Sequence, residues 1–320
     1  MHKTLKGIDF VHDKVPYTIN NFRSGYLSRV HPDARNVLHA GEIDPAIHSL
    51  ARDDVESVIA VDVNPIATAV GIWKKEAIRQ LDDPLDYAAL LSHILDLHAF
   101  DTGYVISERQ EQIKSDAHRL NHRILEKLPQ GDRTRLNQFF ELPEQLRGDN
   151  GSISNLGYLE RRLYDTMRNR LERLDIQTAN VFDLLPVSGV DLLSMNNIFD
   201  YVEGDLARQF QQLAASLNRD GRLAISSVNA RKSGIKAYIS NSRIRLPVRL
   251  KDEFSYITVI PEGDEVPLSE CLRHYGLEPT DDPVLTNSTF ENAPATLCYS
   301  IVGRSLFTLD EARVEIYRKA

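Results

Sequence analysis

Residues Arg35 to Pro65, RNVLHAGEIDPAIHSLARDDVESVIAVDVNP, leave this chain few ways to fold. Two short apolar runs, Asn36–Ala40 and Ser57–Val61, end at Gly41 and at Asp62. Between them Ile43, Ala46, Ile47, Leu50 and Ala51 recur at helical spacing. The pattern predicts a strand, a tight turn, a helix and a second strand, a right-handed βαβ unit. In such a unit the turn after the first strand approaches a ligand, and an acid about 20 residues on takes the ribose hydroxyls. Asp62 stands at that place relative to Gly41. The turn has one glycine where a pyrophosphate site needs a second for close backbone approach, so a dinucleotide such as NAD is disfavoured. A nucleoside ligand without phosphates makes a smaller demand. An α/β protein that binds no nucleotide is the competing reading.

The alternation continues on both sides of an interruption. Asn64 and Pro65 suit the N-cap and first position of a helix whose face is Ile66, Ala69, Val70, Trp73, Ala77 and Leu81, with Trp73 in the core. Residues 84–175 then break the βα pattern with charged helical sequence, read as a helical insertion that could cover the site as a lid. Gly148–Ser152 marks a loop within it, and Leu159, Leu163, Met167, Leu171 and Leu174 form a core stripe. His118 and His122 stand at i, i+4, and His93 and His98 at i, i+5, but no glutamate follows the first histidine as H-E-x-x-H requires, so no metal site is expected.

Strands resume at Gln177–Asp183 and Gly189–Asn197. A helix carries Leu206, Phe210, Leu213 and Leu217, Asn218–Gly221 reads as a turn, and Arg222–Val228 as a strand. Gly41, Asp62, Asp183 and Asn196 all fall at carboxyl ends of strands, where open parallel sheets bind ligands. Further strands are expected at Phe254–Ile260 and Ala295–Val302. The latter is paired in expectation with the Tyr275–Gly276 region as a hairpin, and Leu309–Ala320 reads as a closing helix.

Residues 1–34 read as an irregular arm in which Arg23 could reach a carboxylate, and residues 35–320 as one domain. The net charge of −8 argues against general nucleic-acid binding. Within this acidic chain, residues 222–251 contain no acid but carry Arg222, Arg231, Lys232, Lys236, Arg243, Arg245, Arg249 and Lys251. That is a surface for an anionic acceptor or a strip balanced from elsewhere. Two cysteines, no apolar run near membrane length and no apolar stretch at the start place the expected location in the cytoplasm.

Val37–Gly41, Ile59–Pro65 with Lys74–Ile78, Tyr158 through Arg173, Leu192–Tyr201 and Asp220–Ala224 together resemble the class I, Rossmann-like S-adenosylmethionine-dependent transferases. Within these the chain looks like the 3-amino-3-carboxypropyl transferases of betaine-lipid synthesis. The resemblance spans most of residues 36–230. The turn Ala40-Gly-Glu-Ile43 and the pair Asn196-Asn197 depart from the family's serine-containing motifs, and the arm around Phe22 lacks its tryptophan-acid motif. The resemblance implies a mixed seven-strand α/β sheet with helices on both faces and S-adenosylmethionine as cofactor. It implies transfer of the aminocarboxypropyl group to a small or lipid-like acceptor. Methyl transfer and non-catalytic nucleoside binding are the alternatives. By the same resemblance Asp62, with Val63 and Asn64, takes the ribose, Phe182 and Asp183 the adenine, and Gly41, Glu42 and Arg23 the amino-acid end. Asn196 and Asn197 lie near the sulfonium, and Asp200, Tyr201 and Tyr158 are candidate bases.

Overall fold

The computed structural model describes residues 25–41, 43–95, 108–141, 156–196, 206–232, 243–244, 266–280, 285–286, 297–300 and 305–320. A short helix α1 (Tyr26–Val30) leads into β1 (Asn36–Ala40), α2 (Asp44–Ser49), β2 (Ser57–Asp62) and α3 (Pro65–Gln80). The insertion follows as α4 (Pro84–Ile94), α5 (Glu108–Glu126), α6 (Gln130–Phe140), a 3-10 turn at Gly157–Leu159 and α7 (Arg161–Arg168). The alternation returns with β3 (Leu174–Thr178), α8 (Val181–Leu184), β4 (Val190–Asn196), α9 (Leu206–Ser216) and β5 (Leu217–Lys232). The carboxyl-terminal part comprises β6 (Arg243–Ile244), β7 (Val266–Pro267), α10 (Leu268–His274), β8 (Leu277–Pro279), β9 (Leu285–Thr286), β10 (Leu297–Ser300) and β11 (Ser305–Lys319).

The main sheet runs β10-β11-β5-β4-β1-β2-β3. Strands β3, β2, β1, β4 and β5 are parallel, and β11 is antiparallel to β5. This is the Rossmann-like class I methyltransferase fold, a mixed seven-strand sheet with β8 and β9 added along the outer edge of β11.

Adjacent residues of each central strand serve opposite faces, which is why the strands read as continuous apolar runs rather than alternating ones. Val37, Val58, Ala60, Leu192 and Ala224 face α2, α3 and the inserted helices. Leu38, Val61, Leu193, Leu223 and Ile225 pack with Phe182, Phe210, Leu213 and Leu272 on the other side. The insertion is held to α3: Trp73, fully buried, donates from Nε1 to Oδ1 of Asn121 at 2.7 Å, and the Tyr164 hydroxyl donates to the carbonyl of Leu81 at 3.1 Å.

Near the amino end of the sheet, arginines saturate backbone carbonyls. Arg52 donates to His31 and Ala34, Arg173 to Val55 and Arg222 to Val30. The Asp191 carboxylate accepts from the Asn36 amide at 2.9 Å and from Asn218 at 2.7 Å, joining the starts of β1, β4 and β5.

Four expectations change. The strand expected at Gln177–Asp183 runs instead over Leu174–Thr178, and Val181–Leu184 is helical, so Asp183 does not end a strand. Leu309–Lys319 is strand rather than helix, because β11 gains a ladder of backbone partners on β5, from Phe307 opposite Lys232 to Arg318 opposite Arg222, with one irregularity between Leu309 and Glu311. That pairing overrides the helical propensity of its Glu, Ala, Arg and Lys residues. The hairpin partner of β10 is β11, whereas the strand after Tyr275–Gly276 pairs with Tyr317–Lys319. The turn at Asn218–Gly221 lies inside β5 as a bulge: β4 moves from Val190 to Leu192 while β5 moves from Leu217 to Arg222, with Asp220 at φ 62°. Phe254–Ile260, His98 and Gly148–Ser152 lie outside the described residues.

Candidate functional site

The strand order reverses beside β1. The chain leaves β1 toward β2 and β3, then crosses back to place β4 on its other flank. In open α/β sheets the crevice beyond such a switch point is where ligands bind. Gly41 ends β1 there, and its geometry explains why it is glycine. Its φ is +104°, and a methyl group on it would stand 2.9 Å from Cβ and 3.0 Å from the carbonyl oxygen of Asn196 at the end of β4. A side chain would therefore be strained and would wedge the two strand ends apart. The Gly41 amide donates to the Val61 carbonyl at 2.9 Å, which extends the β1–β2 ladder up to the crevice.

Asp62 closes β2 on the same edge. Its Oδ1 accepts from the Asn64 amide at 2.8 Å, and Asn64 in turn caps α3, accepting from the Ile66 amide at 2.8 Å and the Ala67 amide at 3.4 Å. Pro65 fills the first helical position, as the sequence predicts. Burial pushes the Asp62 carboxyl up from 3.8 to about 7, the Asn64 amide offsetting part of the rise. Thr178, opposite Asp62 on β3, meets Thr68 of α3 oxygen to oxygen at 2.5 Å, and the Ala179 amide donates to the Asp62 carbonyl at 3.0 Å. Three elements thus fix the backbone around this one carboxyl.

The expected site residues divide by position. Gly41, Asp62, Val63, Asn64 and Asn196 converge on the carboxyl edge. Phe182 is buried in the core cluster of the opposite face with Val61 and Leu185, and Asp183 is exposed one turn into α8. Arg23, Glu42, Asn197, Asp200 and Tyr201 lie outside the described residues. Tyr158, expected as a base, is corrected by its surroundings. It is fully buried, its hydroxyl donates to Oδ1 of Asp44 at 2.8 Å, and burial and the Asp44 charge hold its pKa far above the ordinary tyrosine value. A hydroxyl so placed is a buried donor committed to Asp44, not a base.

Asn180, Thr178, Asp44 and Lys74 were not singled out from the sequence. Asn180 lies just past β3, after Ala179, and caps α8, accepting from the Phe182 amide at 3.1 Å; a short polar residue before an apolar run was its signal. Lys74 had none, since a lysine on an amphipathic helix ordinarily faces water. Here it is buried, with Nζ 2.7 Å from Oδ2 of Asp44. No group of three or more candidate metal-ligating side chains occurs among the described residues, and no helix among them is long and apolar enough to cross a membrane.

No protein-family model and no curated protein sequence matches the chain. Solved structures do. One is the N-methyltransferase NodS from Bradyrhizobium japonicum, at 9% identity over 93% of this chain and 94% of that one, with TM-score 0.36. Another is the 1,6-didemethyltoxoflavin-N1-methyltransferase of Burkholderia thailandensis, solved with 1,6-didemethyltoxoflavin and S-adenosylhomocysteine. It shares 13% identity over 93% of this chain and 76% of that one, with TM-score 0.36. A TehB-like methyltransferase from Corynebacterium glutamicum covers 94% of this chain and 89% of its own length at 10% identity and TM-score 0.35. The strand order itself defines the fold.

Proposed function

We propose that this protein is an S-adenosylmethionine-dependent transferase that moves the 3-amino-3-carboxypropyl group to a small or lipid-like, anionic acceptor. The observation that carries the cofactor reading is the placement of Asp62 on the carboxyl edge at the switch point, one strand away from the single-glycine turn at Gly41. A half-buried carboxyl at the strand end suits two ribose hydroxyls, which donate to it, and repels a phosphate when ionised. The turn packs its glycine against Asn196, leaving no second glycine for a pyrophosphate. The residues fit a nucleoside that carries no phosphate.

When bound, S-adenosylmethionine supplies a sulfonium leaving group, the carbon–sulfur bond breaking as the acceptor's nucleophilic atom takes the aminocarboxypropyl unit. The protein's part is positioning and exclusion of water. Asp62 and the capped start of α3 hold the ribose. Gly41 and Asn196 line the floor beside the amino-acid arm, with Glu42 and Arg23 proposed for its charged ends. Asp200 and Tyr201, which follow β4, are proposed to take the acceptor's proton. The anionic acceptor is favoured by the acid-free stretch: Ser226 is level with Asn196, so the β5 backbone carries Arg231 and Lys232 beyond the carboxyl edge where the crevice lies. Choice of the aminocarboxypropyl group rests on the resemblance of Val37–Gly41 and Ile59–Pro65.

Mass spectrometry of the spent cofactor, with anionic and neutral acceptor panels run in parallel, tests this. Methylthioadenosine together with an acceptor heavier by the aminocarboxypropyl unit is the expected result. S-adenosylhomocysteine as product would replace the reading with methyl transfer, and binding without turnover would replace it with a nucleoside-binding protein.

A further inference from the structure

Behind the glycine turn lies a charged cluster that the proposed chemistry does not use. Asp44, at the first position of α2, is 2% exposed, and Lys74 of α3 is also 2% exposed. The two carboxylate oxygens are taken by different elements: Oδ2 by Lys74 Nζ at 2.7 Å, and Oδ1 by the hydroxyl of Tyr158, in the inserted segment, at 2.8 Å. One helical turn before Lys74, on the same face of α3, Gly71 makes room for Ile43. A methyl group at position 71 would stand 2.3 Å from Cδ1 of Ile43. Tyr158 also meets His48 of α2 edge to face at 6.0 Å between ring centres, and His48 lies against Gly25, where the chain leaves the amino-terminal arm.

A buried ion pair contributes little net stability compared with apolar residues of the same volume, because each charge loses its hydration. What it supplies is direction. Asp44 cannot rotate without breaking one of two bonds aimed from different elements, and Ile43 cannot shift without leaving its seat on Gly71. Both residues lie within a few positions of Gly41, on the turn proposed above to lie beside the amino-acid arm. We propose that Asp44, Lys74, Tyr158 and Gly71 are positioning residues that fix this turn for the amino-acid arm of the cofactor. Through them the helical insertion contributes to cofactor affinity without touching the cofactor. The proposal rests on the S-adenosylmethionine reading.

Titration calorimetry on the full chain tests it with two ligands: S-adenosylmethionine, and methylthioadenosine, the same nucleoside without the amino-acid arm. Tyr158→Phe keeps the ring and removes one bond to Asp44. Gly71→Ala displaces Ile43 and leaves the ion pair intact. Each should weaken S-adenosylmethionine binding about tenfold while changing methylthioadenosine binding by less than about twofold. A role confined to folding would lower the melting temperature and leave both affinities unchanged, and that result overturns the proposal. Equal loss for both ligands overturns it as well. If Tyr158→Phe fails to fold, Gly71→Ala carries the same comparison. Wild type binding neither ligand would overturn the cofactor reading itself, whereas wild-type binding with unaltered variants overturns this inference alone.

Discussion

Asp62 is asked for two things that burial sets against each other. It must be enclosed to hold a ribose, and it must be ionised to accept from its hydroxyls. With the carboxyl held at about 7, roughly one molecule in ten is ionised at pH 6 and about nine in ten at pH 8. Affinity for S-adenosylmethionine should therefore rise roughly tenfold between those values, and Asp62→Asn should show no such rise. Without ligand, stability moves the other way. The unfolded carboxyl titrates near 3.8 and the folded one near 7, so between them the unfolded state binds fewer protons and stability falls as pH rises, levelling off above about 7. Calorimetric titrations and thermal melts across this range check both signs. A flat affinity profile in wild type would remove Asp62 from the ribose.

At the scale of elements, the contact between α2, α3 and the insertion shows how little of a buried charge is visible along the chain. Lys74-Lys-Glu belongs to a segment that resembles a known family, yet its spacing distinguishes neither the buried Lys74 from the half-buried Lys75 nor a partner for it. Lys75 instead donates to the Leu174 carbonyl at the start of β3. Removing one member of a buried pair leaves the other uncompensated, so Lys74→Met should cost about 3–5 kcal/mol in denaturant unfolding. Adding Asp44→Asn should recover much of that loss, a coupling that independent sites would not show. Additive losses would mean that the two side chains do not depend on each other.

The whole molecule depends on a strand that comes last in the chain. β11 covers the long edge of β5 and carries β8, β9 and β10 on its other side. A chain truncated after residue 304 would bare the β5 edge along the length of its ladder, together with apolar neighbours that Ile316 and Tyr317 now cover. Exposed edges of this kind pair with other chains. The truncated protein should be recovered as aggregate, and a soluble monomer of unchanged secondary structure would contradict the topology.

Local sequence determined the βαβ unit, the cap and first turn of α3, the core role of Trp73 and the convergence of Gly41, Asp62 and Asn196 on one edge. Each follows from a period, a cap or a strand end, and such signals are complete within about 20 residues. The identity of the last strand, the bulge within β5, the burial of Lys74 and the occupation of the Tyr158 hydroxyl were decided only by tertiary structure. Leu309–Ala320 carries helix-forming residues, and Leu309–Lys319 is a strand because β5 offers partners as far as Arg318. Tyr158 is a titratable side chain in sequence and a buried donor in the fold because Asp44, 114 residues earlier, accepts the hydrogen bond from its hydroxyl. Long-range partners set these outcomes, and no local pattern records where a distant partner will stand.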